Sequence, residues 1–385
     1  MAVTVFRGGR FLLPEGVRTG VALVVRDGQI EAVVPEAEAP EGEVVDAGGQ
    51  WVSPGFIDMH VHGGWGHDFL DGTVEAYLVP ARQHALHGTT TMTPSLATAS
   101  FADYERAVRA YREALPRNTA GAQFVGIHFE GPYFAPAKAG AQDPAWLKRP
   151  VPEEYLPLLE AFPETVRVSA APELEGAMGL GEELRRRGIV AAVAHTDASC
   201  ATCEEAFTHG YSLMTHFYCA MSTVAKRGYS RYAGAVEAGY LQDYDIEVIA
   251  DGVHLPIDLL RLVYRIKGAD RVALCTDAIR GTGLPDGEYI QGSLENGIKF
   301  VVDGGVALRP DRSGLAGSVA TTDRLVRTMA RAAGLENAVR MMTSTPARIL
   351  GLSRKGRLAP GCDADIVLFD DDVTISRVYI AGQAI

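Results

Sequence analysis

The chain has little cysteine, no excess of basic charge and no long apolar run, and each shortage removes a class of protein. Its five cysteines, Cys200, Cys203, Cys219, Cys275 and Cys362, are too few and too unevenly spaced for a disulfide framework. Lys+Arg number 36 against Asp+Glu 48, a net charge of −12, so the basic footprint that non-specific nucleic-acid binding needs is missing. No stretch approaches the ~18 apolar residues of a membrane span. The N-terminal run MAVTVFRGGRFLLPEG is interrupted by Arg7 and Arg10 and has no signal-peptide core. No short tandem repeat or low-complexity tract occurs, and glycine pairs such as Gly304-Gly305 sit in no phosphate-loop or dinucleotide-binding context. These absences predict a cytoplasmic protein with no nucleic-acid partner and no membrane partner.

What is present is ordinary globular usage: 385 residues, 47% hydrophobic and 22% charged. That length suits two or three domains, or one barrel of ~250 residues plus a smaller unit. Both ends read as β. Val21 to Val34 is two apolar runs around Asp27-Gly28, a hairpin signal. The C-terminal DADIVLFDDDVTISRVYIAGQAI alternates β-rich runs with acidic turns. Between them, strand-like windows fall at 54–59, 89–94, 123–130, 166–171, 189–195, 212–216, 246–251 and 272–277, separated by helix-like stretches such as 100–114 and 256–267. A doubly wound sheet also alternates in this way. The fold class predicted is α/β: a (β/α)8 TIM-like barrel over 53–353, with a small β-sandwich domain made from 1–52 plus 354–385.

Polar residues gather at the C-terminal ends of these strands, where a barrel carries its active site. The first ends in Asp58-Met59-His60-Val61-His62; residues two apart on a strand face one side, so both imidazoles can reach one ion. The third ends in His128-Phe129-Glu130, a carboxylate after an apolar run that is costly unless paired or bound to a cation. Others end in His195-Thr196-Asp197, His216-Phe217-Tyr218, Asp251-Gly252-Val253-His254 and Thr276-Asp277. Each alone is as readily a satisfied structural residue. Together, with six of the ten histidines at or beside such ends, they point to a metal site. The lone Cys200-Ala201-Thr202-Cys203 lacks both further zinc ligands and a redox context, and reads as the first turn of a helix. His67 reads as loop structure, and EAEAPEG (36–42) as a surface loop.

These residues, in this order, resemble the amidohydrolase superfamily and within it the N-acetylglucosamine-6-phosphate deacetylases. The likeness is carried by Pro54-Gly55-Phe56-Ile57-Asp58 with His60 and His62, His128-Phe129-Glu130-Gly131-Pro132, Thr215-His216-Phe217-Tyr218 with Ala220-Met221, and Ile249 to His254. Thr276-Asp277-Ala278 and Leu315-Ala316-Gly317-Ser318 complete it. The resemblance implies one divalent ion on His60, His62 and Glu130 and another on Glu130, His195 and His216, with Asp277 both a further metal residue and the acid/base, and His254 polarising the amide carbonyl. One or two ions of Zn, Fe, Mn or Co fit such donors. It further implies a homodimer acting on a small amino-sugar substrate, with contacts from Gln142, Tyr218, Cys219, Ala220, His254, Leu315 and one of Arg227 or Arg231. Two departures touch the sugar phosphate. Cys219 stands where the family usually has asparagine, whose amide hydrogen bonds a thiol cannot replace. The arginine segment reads Lys226-Arg227-Gly228-Tyr229-Ser230-Arg231-Tyr232, with an apparent extra residue. The expected reaction is hydrolysis of N-acetylglucosamine 6-phosphate to glucosamine 6-phosphate and acetate. The alternatives are a different N-acetylated amino sugar, phosphorylated or not, and, of another class, a catalytically silent scaffold.

Overall fold

The computed structural model describes residues 3–385. Eight parallel strands form the barrel: β1 (Phe56–Val61), β2 (Thr89–Leu96), β3 (Ile127–Glu130), β4 (Thr165–Ala170), β5 (Val190–Val193), β6 (Tyr211–Met214), β7 (Asp245–Val248) and β8 (Val272–Leu274). Each pairs with its successor. The ring closes through the bridge Val61–Ala278 and two backbone bonds, Asp277 N to His60 O (2.9 Å) and His62 N to Ala278 O (2.8 Å). All eight expected windows hold a strand. The third divides into Gln123–Phe124 and β3, because Gly126 takes φ 124° and a side chain there would collide with Val166.

Helices cover the barrel: α1 (Val74–Ala85), α2 (Phe101–Ala114), α3 (Pro152–Ala161), α4 (Ala177–Arg187), α5 (Cys200–Thr208), α6 (Ala235–Leu241), α7 (Ile257–Lys267), α8 (Thr322–Ala333), α9 (Leu335–Met342) and α10 (Ser344–Ile349). The stretches 100–114 and 256–267 hold α2 and α7; Ser100 caps α2, its Oγ accepting from Asp103 N at 3.1 Å, and Pro256 immediately precedes α7. Cys200 and Cys203 lie in the opening turn of α5. Among the described residues no helix is long and apolar enough to cross a membrane.

The chain ends contribute two sheets. The hairpin Val21–Arg26/Gln29–Pro35 turns at Asp27 (φ 50°) and Gly28 (φ 77°), the left-handed pair of a tight primed turn. The second sheet interleaves Arg10–Leu13, Gly16–Arg18 and Trp51–Pro54 with Ile366–Phe369, Ile375–Ile380 and Gln383–Ala384. Strand Ile366–Phe369 is buried throughout, and its alternation serves two cores. Ile366 and Leu368 pack with Phe6, Phe11 and Leu23 between the two sheets; Val367 and Phe369 face the barrel core, where Phe369 meets Phe56.

One feature is absent from the sequence reading. After β8 a three-stranded antiparallel sheet, Gly287–Gln291/Ile298–Asp303/Val306–Leu308, packs Phe300, Val302 and Ala307 on Ile279. It leads into the loop that returns through Leu315 to Ser318 at the mouth of the barrel.

Candidate metal centre

Six side chains expected to meet at the strand ends do meet. His60 Nε2 lies 3.2 Å from His62 Nε2, and His195 Nε2 lies 3.2 Å from His216 Nε2. Glu130 stands between the pairs: Oε1 is 3.3 Å from His195 and 3.0 Å from His216, and Oε2 is 3.3 Å from His62. Asp277 Oδ1 is 3.2 Å from His62 Nε2 and 3.6 Å from His60 Nε2. All are buried.

The hydrogen bonds behind the rings decide what these atoms are. His62 Nδ1 meets the Ser95 carbonyl (3.0 Å) and His195 Nδ1 the Lys138 carbonyl (2.8 Å). A carbonyl only accepts, so each Nδ1 carries the proton, and in the neutral ring Nε2 is a lone pair. His60 Nδ1 donates in the same way to Glu247 Oε1 at 2.9 Å. Lone pairs therefore face lone pairs and carboxylate oxygens at 3.2–3.6 Å, which a cation between them resolves. The donors divide into two sets sharing Glu130: His60, His62 and Glu130, and Glu130, His195 and His216. They are nitrogen and oxygen with no thiolate, which fits a divalent ion of the Zn, Fe, Mn or Co kind. Without a cation the same geometry takes up protons instead. Burial lowers the His62 imidazole, yet its bonds to Asp277 and Glu130 hold it well above the usual range. Burial raises the Glu130 carboxyl, and the imidazoles, His60 first, hold it well below.

A third grouping, His60, Glu247 and Cys275, is of another kind. Burial pushes the Cys275 thiol far up, and Glu247 is already bonded to Arg167. Neither His128 nor Asp58 is a ligand. His128 bonds Ser95 Oγ (3.0 Å) and Ser169 Oγ (2.7 Å) and is kept neutral by burial and by Arg167. Asp58, pushed up to about 7 by burial, accepts from Thr276 Oγ1 at 2.5 Å and so ties β1 to the end of β8. His67 pairs with Gly64 in a short antiparallel ladder of the first loop, a loop role as expected.

Backbone strain marks the catalytic rim. His195, His216, Tyr218, Ala220 and Asp277 all have positive φ, from 28° to 76°. Asp277 is buttressed by Gly317 (φ 64°): a side chain there would press Ile279 and the Asp277 carbonyl, and Ser318 N donates to that carbonyl at 2.8 Å.

A cavity of about 400 Å³ opens over the donors. Of the expected substrate contacts, Gln142, Cys219, Ala220, His254 and Leu315 line it. Gln142 spans the wall, its amide nitrogen on Glu130 Oε2 and its oxygen accepting from Thr98 N at 2.7 Å. His254 Nδ1 donates to Asp251 Oδ2 at 2.8 Å. Tyr218 does not line the cavity; its hydroxyl meets that of Tyr240 at 3.0 Å. Nor do Arg227 and Arg231, which lie on the exposed hairpin Ala225–Arg227/Ser230–Tyr232, where the Arg227 guanidinium stacks on Tyr232. Sequence reasoning missed Arg309, which lines the cavity from the inserted sheet and has no side-chain partner among the described residues, and Lys138, which borders it 3.5 Å from Asp197. The only signal for Arg309 was its place six residues before Leu315.

Comparison with known proteins points to one family. Residues 51–385 match the model of the amidohydrolase family. An N-acetylglucosamine-6-phosphate deacetylase of Lysinibacillus sphaericus is 31% identical over 93% of this chain and 92% of its own length. An N-acetylgalactosamine-6-phosphate deacetylase of Escherichia coli O157:H7 is 31% identical over 98% of both. The solved structure of a variant N-acetyl-D-glucosamine-6-phosphate deacetylase of Mycobacterium smegmatis, in complex with N-acetyl-D-glucosamine-6-phosphate, superposes with a TM-score of 0.90 at 31% identity, over 100% of this chain and 98% of that one. Matched over most of its length, the chain belongs to the amidohydrolase family.

Proposed function

We propose that the chain hydrolyses the acetamide of N-acetylglucosamine 6-phosphate, giving glucosamine 6-phosphate and acetate. The observation that carries this reading is the convergence of four imidazole nitrogens and the shared Glu130 on the cavity floor, with Asp277 beside them. His60, His62 and Glu130 would hold one divalent ion, and Glu130, His195 and His216 the other. When bound, such a cation supplies Lewis acidity that acidifies water and polarises a carbonyl near neutral pH.

The remaining work falls to the chain's own side chains. Although burial opposes it, His60 and His62 keep the Asp277 carboxyl below its usual range. Asp277 is therefore a carboxylate, able to take the proton of the attacking water and return it to the leaving nitrogen. His254, its Nδ1 bonded to the Asp251 carboxylate, lines the cavity as the group that would polarise the amide carbonyl. Gln142, Cys219, Ala220 and Leu315 bound the sugar. Arg309 and Lys138 supply positive charge on the cavity wall for a phosphate. Arg227 and Arg231, outside the cavity of their own chain, act across a homodimer interface formed by the exposed hairpin, where Val224, Tyr229 and Tyr232 are also exposed. Five free cysteines accord with a reducing compartment such as the cytoplasm.

A second substrate reading rests on Cys219. Burial pushes its thiol up to about 12, so it offers the sugar neither charge nor a strong hydrogen bond. A relative of equal identity is named for the galactosamine epimer. Acetate release by metal-reconstituted protein, from N-acetylglucosamine 6-phosphate, its unphosphorylated form and N-acetylgalactosamine 6-phosphate, decides between them. Preference for the first is expected; turnover confined to another N-acetyl sugar would replace it.

A further inference from the structure

We propose that Glu247, held by Arg167, is a positioning residue that presents His60 as an Nε2 ligand and so governs whether the half-site of His60 and His62 takes an ion. The inference rests on the metal-dependent reading above. Arg167 on β4 and Glu247 on β7 are fully buried inside the barrel. The guanidinium donates to both carboxylate oxygens, Nη2 to Oε1 at 3.1 Å, and also to the Met59 carbonyl (3.1 Å) and Thr215 Oγ1 (2.9 Å). Oε1 in turn accepts from His60 Nδ1 at 2.9 Å and from the backbone N–H of His216 at 3.3 Å.

Stability gives no reason for this pair, since an apolar pair of similar volume stabilises a buried site as well or better. Geometry does. Of the four ligand imidazoles, His62 and His195 rest on neutral carbonyls, and His216 Nδ1 has no partner among the described residues. Only His60 rests on a carboxylate. An ionised acceptor at Nδ1 fixes the proton there, leaves the lone pair on Nε2 and raises its basicity. Arg167, donating to both of its oxygens, keeps that carboxylate aimed at Nδ1. The His216 ring is not touched by Glu247, which meets only its backbone. The effect is therefore confined to one half-site.

The test strips the protein with a chelator and titrates it with Co(II), reading ions per chain and the visible ligand-field spectrum. Wild type is expected to take two ions. In Glu247→Gln, whose amide can present either end to Nδ1, the ion at His60 and His62 should weaken by about 10- to 100-fold while the other is unchanged. Arg167→Met with Glu247→Gln removes both charges and should show the same loss in a protein that melts as wild type does. Nitrogen-15 NMR of labelled histidine should show the His60 proton, held on Nδ1 in wild type, shared between Nδ1 and Nε2 in the variant, which a merely structural role would not produce. Two ions bound as in wild type, both weakened equally, or a wild type that takes a single ion would overturn the inference. His195→Ala separates the two readings. If it costs one ion and Glu247→Gln costs none, the inference alone falls; if wild type takes no ion, the metal reading falls with it.

Discussion

His60 and His62 reach a common point by continuing a strand, His60 within β1 and His62 one residue past its end with no left-handed turn, so that alternation still brings residues two apart to one side. His195 and His216 reach theirs by leaving one: both sit just past a strand end with φ of 44° and 28°. Such backbone costs of order 1–3 kcal/mol per residue and persists only where the surroundings enforce it. Here the Lys138 carbonyl grips the His195 ring, and the amide after His216, Phe217 N, is held by the Glu247 backbone carbonyl at 2.7 Å. One half-site is thus inexpensive and rigid by periodicity, the other strained and dependent on its frame. Similar donors can be built either way, and only Glu130 belongs to both.

The largest test of that division is Glu130→Gln. It removes the shared charge, so both ions and all measurable turnover should be lost, by metal analysis and acetate assay. An ion retained in either half would show that the halves are independent. Next, Asp277→Asn should lower kcat by about 10³-fold with metal content unchanged, because it removes the proton carrier and keeps the shape. Loss of metal instead would make Asp277 chiefly a ligand. Arg309→Ala should raise KM for the phosphorylated sugar about tenfold and leave the unphosphorylated one nearly alone, as expected for an ion-paired contact. An equal change for both would remove Arg309 from phosphate binding. The smallest effect concerns Cys219. With its thiol pushed up to about 12, iodoacetamide at pH 8 should barely label it over an hour, by mass spectrometry.

The same division explains what could be read from the residues. The barrel strands were legible because parallel strands covered on both faces are short apolar runs at even spacing. His60-Val61-His62 was legible as a three-residue string. His195 and His216 have no such string and emerged only from their place at successive strand ends. The Arg167–Glu247 pair stayed hidden: TVRVSA reads as an alternating strand with Arg167 on a wet face, and its partner is 80 residues away. Arg309 was missed because short strands with polar turns, such as those of 287–308, look like loop. Arg227 and Arg231 were noticed, but linear order does not reveal that their exposed hairpin is not part of the cavity lining.

Strand Ile366–Phe369, shared between two cores, sets a timetable for synthesis. It pairs with Trp51–Pro54, and the Trp51 indole finds its acceptor on Asp371, 320 residues later. At 5–20 residues per second that interval is roughly 15 to 60 s on the ribosome. Throughout it, the first apolar strands must wait for a neighbour not yet made, and the barrel floor beneath Phe56 stays open until Phe369 arrives. A chain stopped short of residue 366 would carry every proposed ligand and still be an unfinished fold, a substrate for chaperones and proteases before it is one for chemistry.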